Sequence, residues 1–440
     1  MSPLQPTAAA PARLLPRGEP GRAGLRDYAP WIGAVAVLLV LPLVFSSGAS
    51  LTMMSLMGFA IIFALSYNML LGQTGMLSFG HAVYYGLGGF LTAHALNVIG
   101  AGKWPVPLAV LPLVGGLAGL TFALIFGWVS TRRAGTAFAM ISLGIGELVA
   151  ASSLILRGFF GGEGGISANR TATLKLFGLN FGPQIQVYYL IAAWCLLCVA
   201  AMYAFTRTPL GRMCNAVREN PERAEFVGYS TRMVRFIAFC TSGFFAGVAG
   251  GLAAIHYEIV TASVVGAGPS GFVLLMAYIG GIGFFIGPIV GAILMTALQI
   301  SLSDYTGAWL LYVGLMFVLV VMYVPGGLAG LLLMHRPLLR RGAWTRLAPA
   351  YALAALPVAL LVIGVVALIE TSHHLLVKSA DGPSMRLFGV GYEASSPLAW
   401  GVMLLLVAAG WLALRWTGPK VSQAWQEALA QARNAPGAPR

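Results

Sequence analysis

Charge is what this sequence has least of. Charged residues are 9% of 440, and only 13 are acidic against 26 lysines and arginines. With 58% hydrophobic residues, such a chain cannot clothe a soluble domain in solvated side chains, and it reads as a polytopic membrane protein. The net charge of +13 invites nucleic acid, but the arginines fall in short clusters between apolar runs. That pattern sets topology against the cytoplasmic leaflet, so the bilayer is the expected partner and nucleic acid is not. Cysteine is scarce as well, with four residues. Cys195 and Cys198 form a CxxC inside an apolar span, with no histidine or acid close in sequence, and read as small buried helix residues. No GxxxxGK[ST] loop, HExxH, DDxxD-like cluster or Ser/His/Asp set occurs. The first absence excludes a P-loop nucleotide site, and the others leave an intramembrane enzyme without catalytic groups. No catalytic residue, cofactor or metal is therefore expected.

What is present is a series of apolar runs. Residues 1–30 are rich in Ala, Pro and Gly and carry Arg13, Arg17, Arg22 and Arg26, which reads as a disordered cytoplasmic tail and not a cleaved signal peptide. Spans follow at 31–45, 51–71, 77–99, 106–129, 136–157 and 187–205, each near the length that crosses hydrocarbon. Counted from an inside start, they put Arg132, Arg133 and the arginine-rich segment 207–235 on the cytoplasmic side. A span at 234–256 leads out, and the next basic cluster, Arg336, Arg340, Arg341 and Arg346, should be inside again. An odd number of crossings must separate the two. The glycine-broken stretch 258–303 is therefore divided into two passes before a plain span at 309–331. A single pass with a re-entrant hairpin is the rival description and breaks the charge count. The expected fold is all-α and polytopic, with about ten helices over 31–335, some broken or re-entrant as in a transport path. A basic cytoplasmic linker at 336–349, an additional transmembrane pair at 350–416 and a cytoplasmic tail at 417–440 complete it.

Within 207–235, Asn220, Pro221, Glu222 and Gly228 are the cap, first-turn and stop residues of a helix about two turns long. Ala224, Phe226 and Val227 give it an apolar patch among charges. An element this short gains its order by packing, which calls for a partner outside the bilayer; the alternative is a solvated loop that only obeys the positive-inside rule.

Inside the spans, Glu147 is the one carboxylate embedded well within an apolar run. An ionised acid there is costly, so it is expected to face the bundle interior. It either lines a path and meets a cationic or polar group, or pairs with an arginine or a helix N-terminus. Gln73, Thr74, Ser78 and His81 supply uncharged hydrogen-bonding groups at a glycine-rich helix break, which either lines a path or satisfies itself. His81 reads as a buried, satisfied histidine more readily than as a ligand. Gly243, Gly247 and Gly251, and Gly283, Gly287 and Gly291, repeat every four residues and predict close helix packing.

Four stretches resemble the membrane subunit of branched-chain amino-acid ABC importers of the LivM/LivH type. The first carries Gly72, Gly75, Ser78, Gly80, His81, Gly86 and Gly88. ISLGIGELV with Glu147 follows, then Gly161, Gly162, Gly165 and Ile166 in a GGxxGI. Gly211, Arg212, Ala216, Arg218, Glu219, Ala224 and Gly228 match the family's coupling loop, to which Glu222 and Phe226 belong by position. YIGGIGFFIGPIVGA and VPGGLAGLL complete the match, which covers about residues 50–332 in order. The resemblance implies a coupling helix seated in a cytoplasmic ABC ATPase, a second permease subunit, and a periplasmic substrate-binding protein that brings the solute. It also implies a bacterial inner-membrane location with both termini cytoplasmic.

The sequence departs from that pattern at Ala134 to Ala137, Phe160, Phe284 and Gly326, and in the C-terminal pair. The expected function is a permease subunit moving branched-chain amino acids or a related small polar metabolite. Urea, short amides and aromatic carboxylates are the alternative solutes, and an ion-coupled secondary transporter with Glu147 as its proton site is the alternative class.

Overall fold

A backbone in hydrocarbon must satisfy its own amides and carbonyls, and a helix does so within one segment. The computed structural model describes residues 25–173, 180–340, 344–377 and 382–434. Most of the expected N-terminal tail, residues 1–24, lies outside them. The chain divides into two units. In the first, Met1–Ser46, the described helix is α1 (Leu25–Val44), so the expected boundary at residue 30 falls inside a helix.

The second unit begins with α2 (Gly48–Thr74), α3 (Ala82–Gly100), α4 (Leu111–Ser130), α5 (Gly135–Ile155), the single turn α6 (Arg157–Phe160) and α7 (Gln184–Arg207). Two short helices, α8 (Pro209–Glu219) and α9 (Pro221–Phe226), lead into α10 (Thr231–Tyr257). Then come α11 (Ala267–Gly280), α12 (Gly287–Tyr305), α13 (Trp309–Tyr323), α14 (Gly327–Arg340), α15 (Trp344–Val377) and α16 (Pro397–Asn434). Among the described residues, eight helices are long and apolar enough to cross a membrane, or nine if the bent pair α13–α14 counts as one span. The stretch 258–303 does divide into two helices, but α11 has only 14 residues. At 1.5 Å per residue it is about 21 Å long, short of a hydrocarbon core of about 30 Å. The plain span expected at 309–331 is broken, with a bend of 54° between Tyr323 and Gly327. Pro325 cannot continue the helical hydrogen bonds, and Gly327 takes a φ of +63°.

Helices α3, α4 and α10 meet backbone to backbone. A Cβ added at Gly247 would strike the Gly115 carbonyl and lie 2.9 Å from the Gly119 Cα, and one at Gly88 would lie 2.6 Å from the Gly247 Cα. Gly243, Gly247 and Gly251 therefore act as the spacing predicted. In the second set, Gly287 and Gly291 abut the backbone of α11, whereas Gly283 sits in the turn before α12 with nothing near its missing side chain. Around this seam Tyr67, Leu70, Phe138 and Phe239 close the main core.

Contacts between chain-distant residues define two ends of the bundle. At one, the Arg132 and Arg232 guanidinium groups lie 5.8 and 4.6 Å from the Trp128 ring centroid, which brings the C-terminal end of α4 and the first turn of α10 together. At the other, β1 (Ile166–Ser167) pairs antiparallel with β2 (Ile259–Val260). There the buried Arg170 donates to the carbonyls of Phe181 at 2.9 Å and His256 at 3.1 Å and lies 3.7 Å from the Glu258 carboxylate. The GGxxGI glycines Gly161, Gly162 and Gly165 all have positive φ, which lets their loop lie against the backbone of Val260 and Thr261.

The C-terminal pair packs along its own length, with Gly364 against Val407 and Gly410 against Leu361. It joins the core through Tyr312 Oη, which donates to Glu370 Oε1 at 2.8 Å, and through His335 Nε2 and Tyr351 Oη at 3.0 Å. β3 (Ser384–Leu387) and β4 (Val390–Glu393) form the hairpin at its far end. Two expected boundaries change. The linker at 336–349 is helical up to Arg340 and again from Trp344, with 341–343 outside the described residues. The tail at 417–440 is a continuation of α16 as far as Asn434.

Candidate functional site

Three groups of residues carry the chemistry expected from the sequence, and the fold treats them differently. The first is the arginine-rich end. The segment there makes two helices, where the sequence suggested one. Thr208 caps α8, its hydroxyl accepting from Gly211 N at 3.2 Å, and Asn220 caps α9, its Oδ1 accepting from Arg223 N at 2.9 Å. Gly228 ends the motif at a φ of +91°. The apolar patch expected on α9 splits. Ala224 is buried with Cys214, Val217, Val234 and Ala238, so the chain itself holds the short helix, where an outside partner was expected to. Phe226 and Val227 point away, 91% and 69% exposed.

Arg212, Glu219 and Glu222 are exposed, Ala216 is half-buried, and Gly211 is buried against Phe205 and Thr206. Arg218 donates to the carbonyl of Gly72. It satisfies a carbonyl in the last turn of α2 and complements that helix's negative end. Its place is thus at the joint between α8 and the bundle. Burial pushes the Cys214 thiol up to about 12, which leaves it protonated and unreactive at neutral pH.

The second group is the break after α2. Gly75, at a φ of +70°, stops the helix, and its N–H and that of Met76 return to the carbonyls of Leu71 and Leu70 at 3.2 and 3.1 Å. The chain then turns inward, and Gln73, Ser78 and His81 are buried at 7, 1 and 0% exposure. His81 Nε2 lies 3.0 Å from Ser66 Oγ, while Ser242 Oγ donates to the Ser66 carbonyl at 2.6 Å. Phe79 N donates to Ser142 Oγ at 3.0 Å, and Ala82 N to Ser270 Oγ at 3.0 Å. This polar cluster knits α2, α3, α5, α10 and α11 together and exposes no surface from which these side chains meet a solute. Of the two readings of this break, enclosure by the chain's own helices is the one seen for Gln73, Ser78 and His81 in this conformation. His81 is only half satisfied, because its Nδ1 has no partner, and the same holds for Tyr67 Oη, Asn68 Oδ1, Gln73 Oε1 and Ser78 Oγ. The serines Ser66, Ser142, Ser242 and Ser270 were missed in the sequence, where serines within apolar runs look alike.

The third group is Glu147. Within this chain it is not enclosed by the bundle. α5 buries Phe138, Ala139, Ser142, Gly146, Val149 and Ser153, and Glu147 lies on the opposite, exposed face. That face also carries Ala137, Met140, Gly144, Leu148 and Ala151. Among the described residues no ion pair or hydrogen bond to its carboxylate is found, neither the arginine nor the helix N-terminus that a structural role required. The free cysteines Cys195 and Cys198 are buried within α7, and no group of three His, Cys, Asp or Glu among the described residues is placed to hold a metal.

Comparison with known proteins bears on the same region. The family model for the branched-chain amino acid transport system permease component matches residues 49–324. The high-affinity branched-chain amino acid transport system permease protein LivM of Escherichia coli K12 is 30% identical over 301 residues, 64% of this chain and 69% of that protein. LivH of Salmonella typhimurium LT2 is 23% identical over 292 residues, 61% of this chain and 90% of its own. A probable LivH permease of Methanocaldococcus jannaschii is 26% identical over 208 residues, 46% and 64% of the two chains. No solved structure matches. The family match includes α2 to α13 and stops before α14.

Proposed function

The chain belongs to the family of branched-chain amino acid transport system permease components, and from that premise we propose how this multi-pass transport subunit, which lacks an ATPase domain, does its work. The arginine-rich end faces the cytoplasm, in keeping with the positive-inside rule, and the end held by Arg170 and Glu258 faces outward. The tip of α9 seats in a cytoplasmic ABC ATPase. A second permease subunit covers the exposed face of α5, and the path runs between the two subunits past Glu147. A periplasmic binding protein delivers the solute at the outer end.

The observation that carries this reading is the tip itself. Phe226 and Val227 are 91% and 69% exposed on a helix whose other side, at Ala224, is buried in the chain's own core. An aromatic and a β-branched residue held out among charges by a packed support form a preorganised contact. The α5 face gives separate support, since an ionised carboxylate against lipid is costly and a covering subunit that encloses water removes that cost. Binding and hydrolysis of ATP in the partner would then bias the two permeases between outward and inward states through α8 and α9.

The test is Phe226→Asp in the full transporter. We expect ATP-driven uptake of leucine to fall at least roughly tenfold, as for the loss of a central aromatic anchor, while the chain reaches the membrane at its normal level. Uptake at the unsubstituted rate would remove α9 from the coupling contact.

A further inference from the structure

At the N-terminal end of α11 the bundle is hollow. That helix is too short to fill the thickness its neighbours span, and a recess of about 620 Å3 lies between α2, α11, α12 and the start of α13. Its floor is made by Phe59, Phe63, Phe272 and Met276, and Thr261, Gly268 and Gln299 stand around it. Among the described residues no charged side chain lines it. From Leu56 to Phe63 the α2 wall runs roughly 10 Å at 1.5 Å per residue. The recess lies toward the end that carries β2 and Glu258, since Tyr257, Ile259 and Thr261 also border it.

We infer that this recess seats the side chain of a branched-chain amino acid inside the permease, at its outer end. The inference rests on the proposed function and orientation. The volume falls in the range of small-molecule sites, and an apolar, aromatic floor with a few neutral polar groups is their usual lining. A branched aliphatic side chain fits that floor, and a charged one is rejected, because nothing beside Phe63 or Met276 could pair it. The charged head of the amino acid stays at the rim, where water still reaches it and Gln299 and Gly268 are exposed. Gly266 caps α11 without a side chain, so the first-turn N–H groups are open to a carboxylate at the mouth. Glu147 lies on another face and is not part of this site. The solute thus has a place to wait within one subunit before it enters the path between two.

Photo-leucine, whose diazirine is in the side chain, tests this on the intact transporter in proteoliposomes. The expected result is labelling of peptides from 56–63 and 268–276 that excess leucine abolishes and excess lysine does not. Ala60→Phe, which fills the recess from α2, should cut that labelling and leucine uptake, each roughly tenfold or more, on the scale of methylene-sized changes in an apolar pocket. Gln299→Ala, at an exposed position that does not threaten folding, should lower the labelling without shifting its location, and it keeps the test open if the filled variant fails to fold. Label that leucine does not displace would mean that lipid fills the recess and would overturn the inference. So would unchanged labelling in Gln299→Ala together with unchanged uptake in Ala60→Phe. Failure of the underlying reading is distinct, because the unsubstituted transporter would then take up no leucine at all.

Discussion

At the scale of single residues, two charged groups exchange the roles their neighbourhoods suggested. Arg218 sits in a segment rich in arginines, where each looks like a topology signal, yet it donates to the Gly72 carbonyl and ties α8 to the end of α2. Glu147 sits in an apolar run, where an acid is expected to be enclosed, yet its side of α5 is open. The difference is helical phase, since Gly146 and Val149 on the same helix are buried. An open carboxylate within a span has meaning only in a larger assembly. Glu147→Gln keeps the shape and removes the charge, so we expect assembly with the second permease to persist while leucine uptake drops roughly tenfold or more, the scale of a lost transition-state contact. Full uptake by this variant, measured in cells at matched expression, would make the residue a packing element of the interface.

Two departures from the family pattern also meet at this scale. The Phe284 ring lies 3.7 and 3.6 Å from where Cβ atoms on Gly326 and Gly330 would stand. A larger residue at 326 would have to share that space, so the phenylalanine and the glycine read as one change.

Among the elements, glycine separates the two kinds of helix face. Gly247 lies where α3, α4 and α10 touch, and any side chain there must force helices apart. Gly144, on the open face of α5, has nothing within 4 Å of its missing Cβ. Overpacking a tight seam typically costs about 1–3 kcal/mol. Gly247→Leu is therefore expected to lower the thermal unfolding temperature of the purified chain and the yield of folded protein. Gly144→Leu should change neither, and should instead weaken co-purification with the second permease. Equal unfolding temperatures for both variants and the unsubstituted chain would remove the close-packing role from Gly247. The bend between α13 and α14 and the short α11 belong together at this scale, because Gly281 packs on Gly326 and Gly327. Both interruptions therefore lie at one level of the bundle, where the hairpin between α11 and α12 turns.

For the whole molecule, the family match ends at 324 while the chain continues through α15 and α16. These two helices bury most of their contact surface on each other. The polar ties to the core named above are hydrogen bonds of 2.8 and 3.0 Å, each worth roughly 0.6–2 kcal/mol within a bilayer. A chain ending at Arg340 is thus expected to fold, insert and support leucine uptake within about twofold of the full chain, given so small a loss. Loss of the folded core on truncation, read by size exclusion in detergent, would make the pair an integral part of the permease.

The sequence by itself determined the class, the positions of the helices up to α10, a break within 258–303, the caps of α9 and the family. Each follows from local rules: hydrocarbon thickness, backbone satisfaction, and the side chains that cap or stop a helix. Only the tertiary structure decided which side of each helix is covered. It turned Glu147 outward, closed Gln73, Ser78 and His81 inside, split the apolar patch of α9 between core and tip, and left a recess above α11. The physical reason is that span length and mean apolarity are summed along the chain, whereas burial depends on helix phase and on neighbours that come from distant parts of it. In a membrane protein the lipid-facing and protein-facing sides are equally apolar, so the amphipathic pattern that marks a buried face in water is missing.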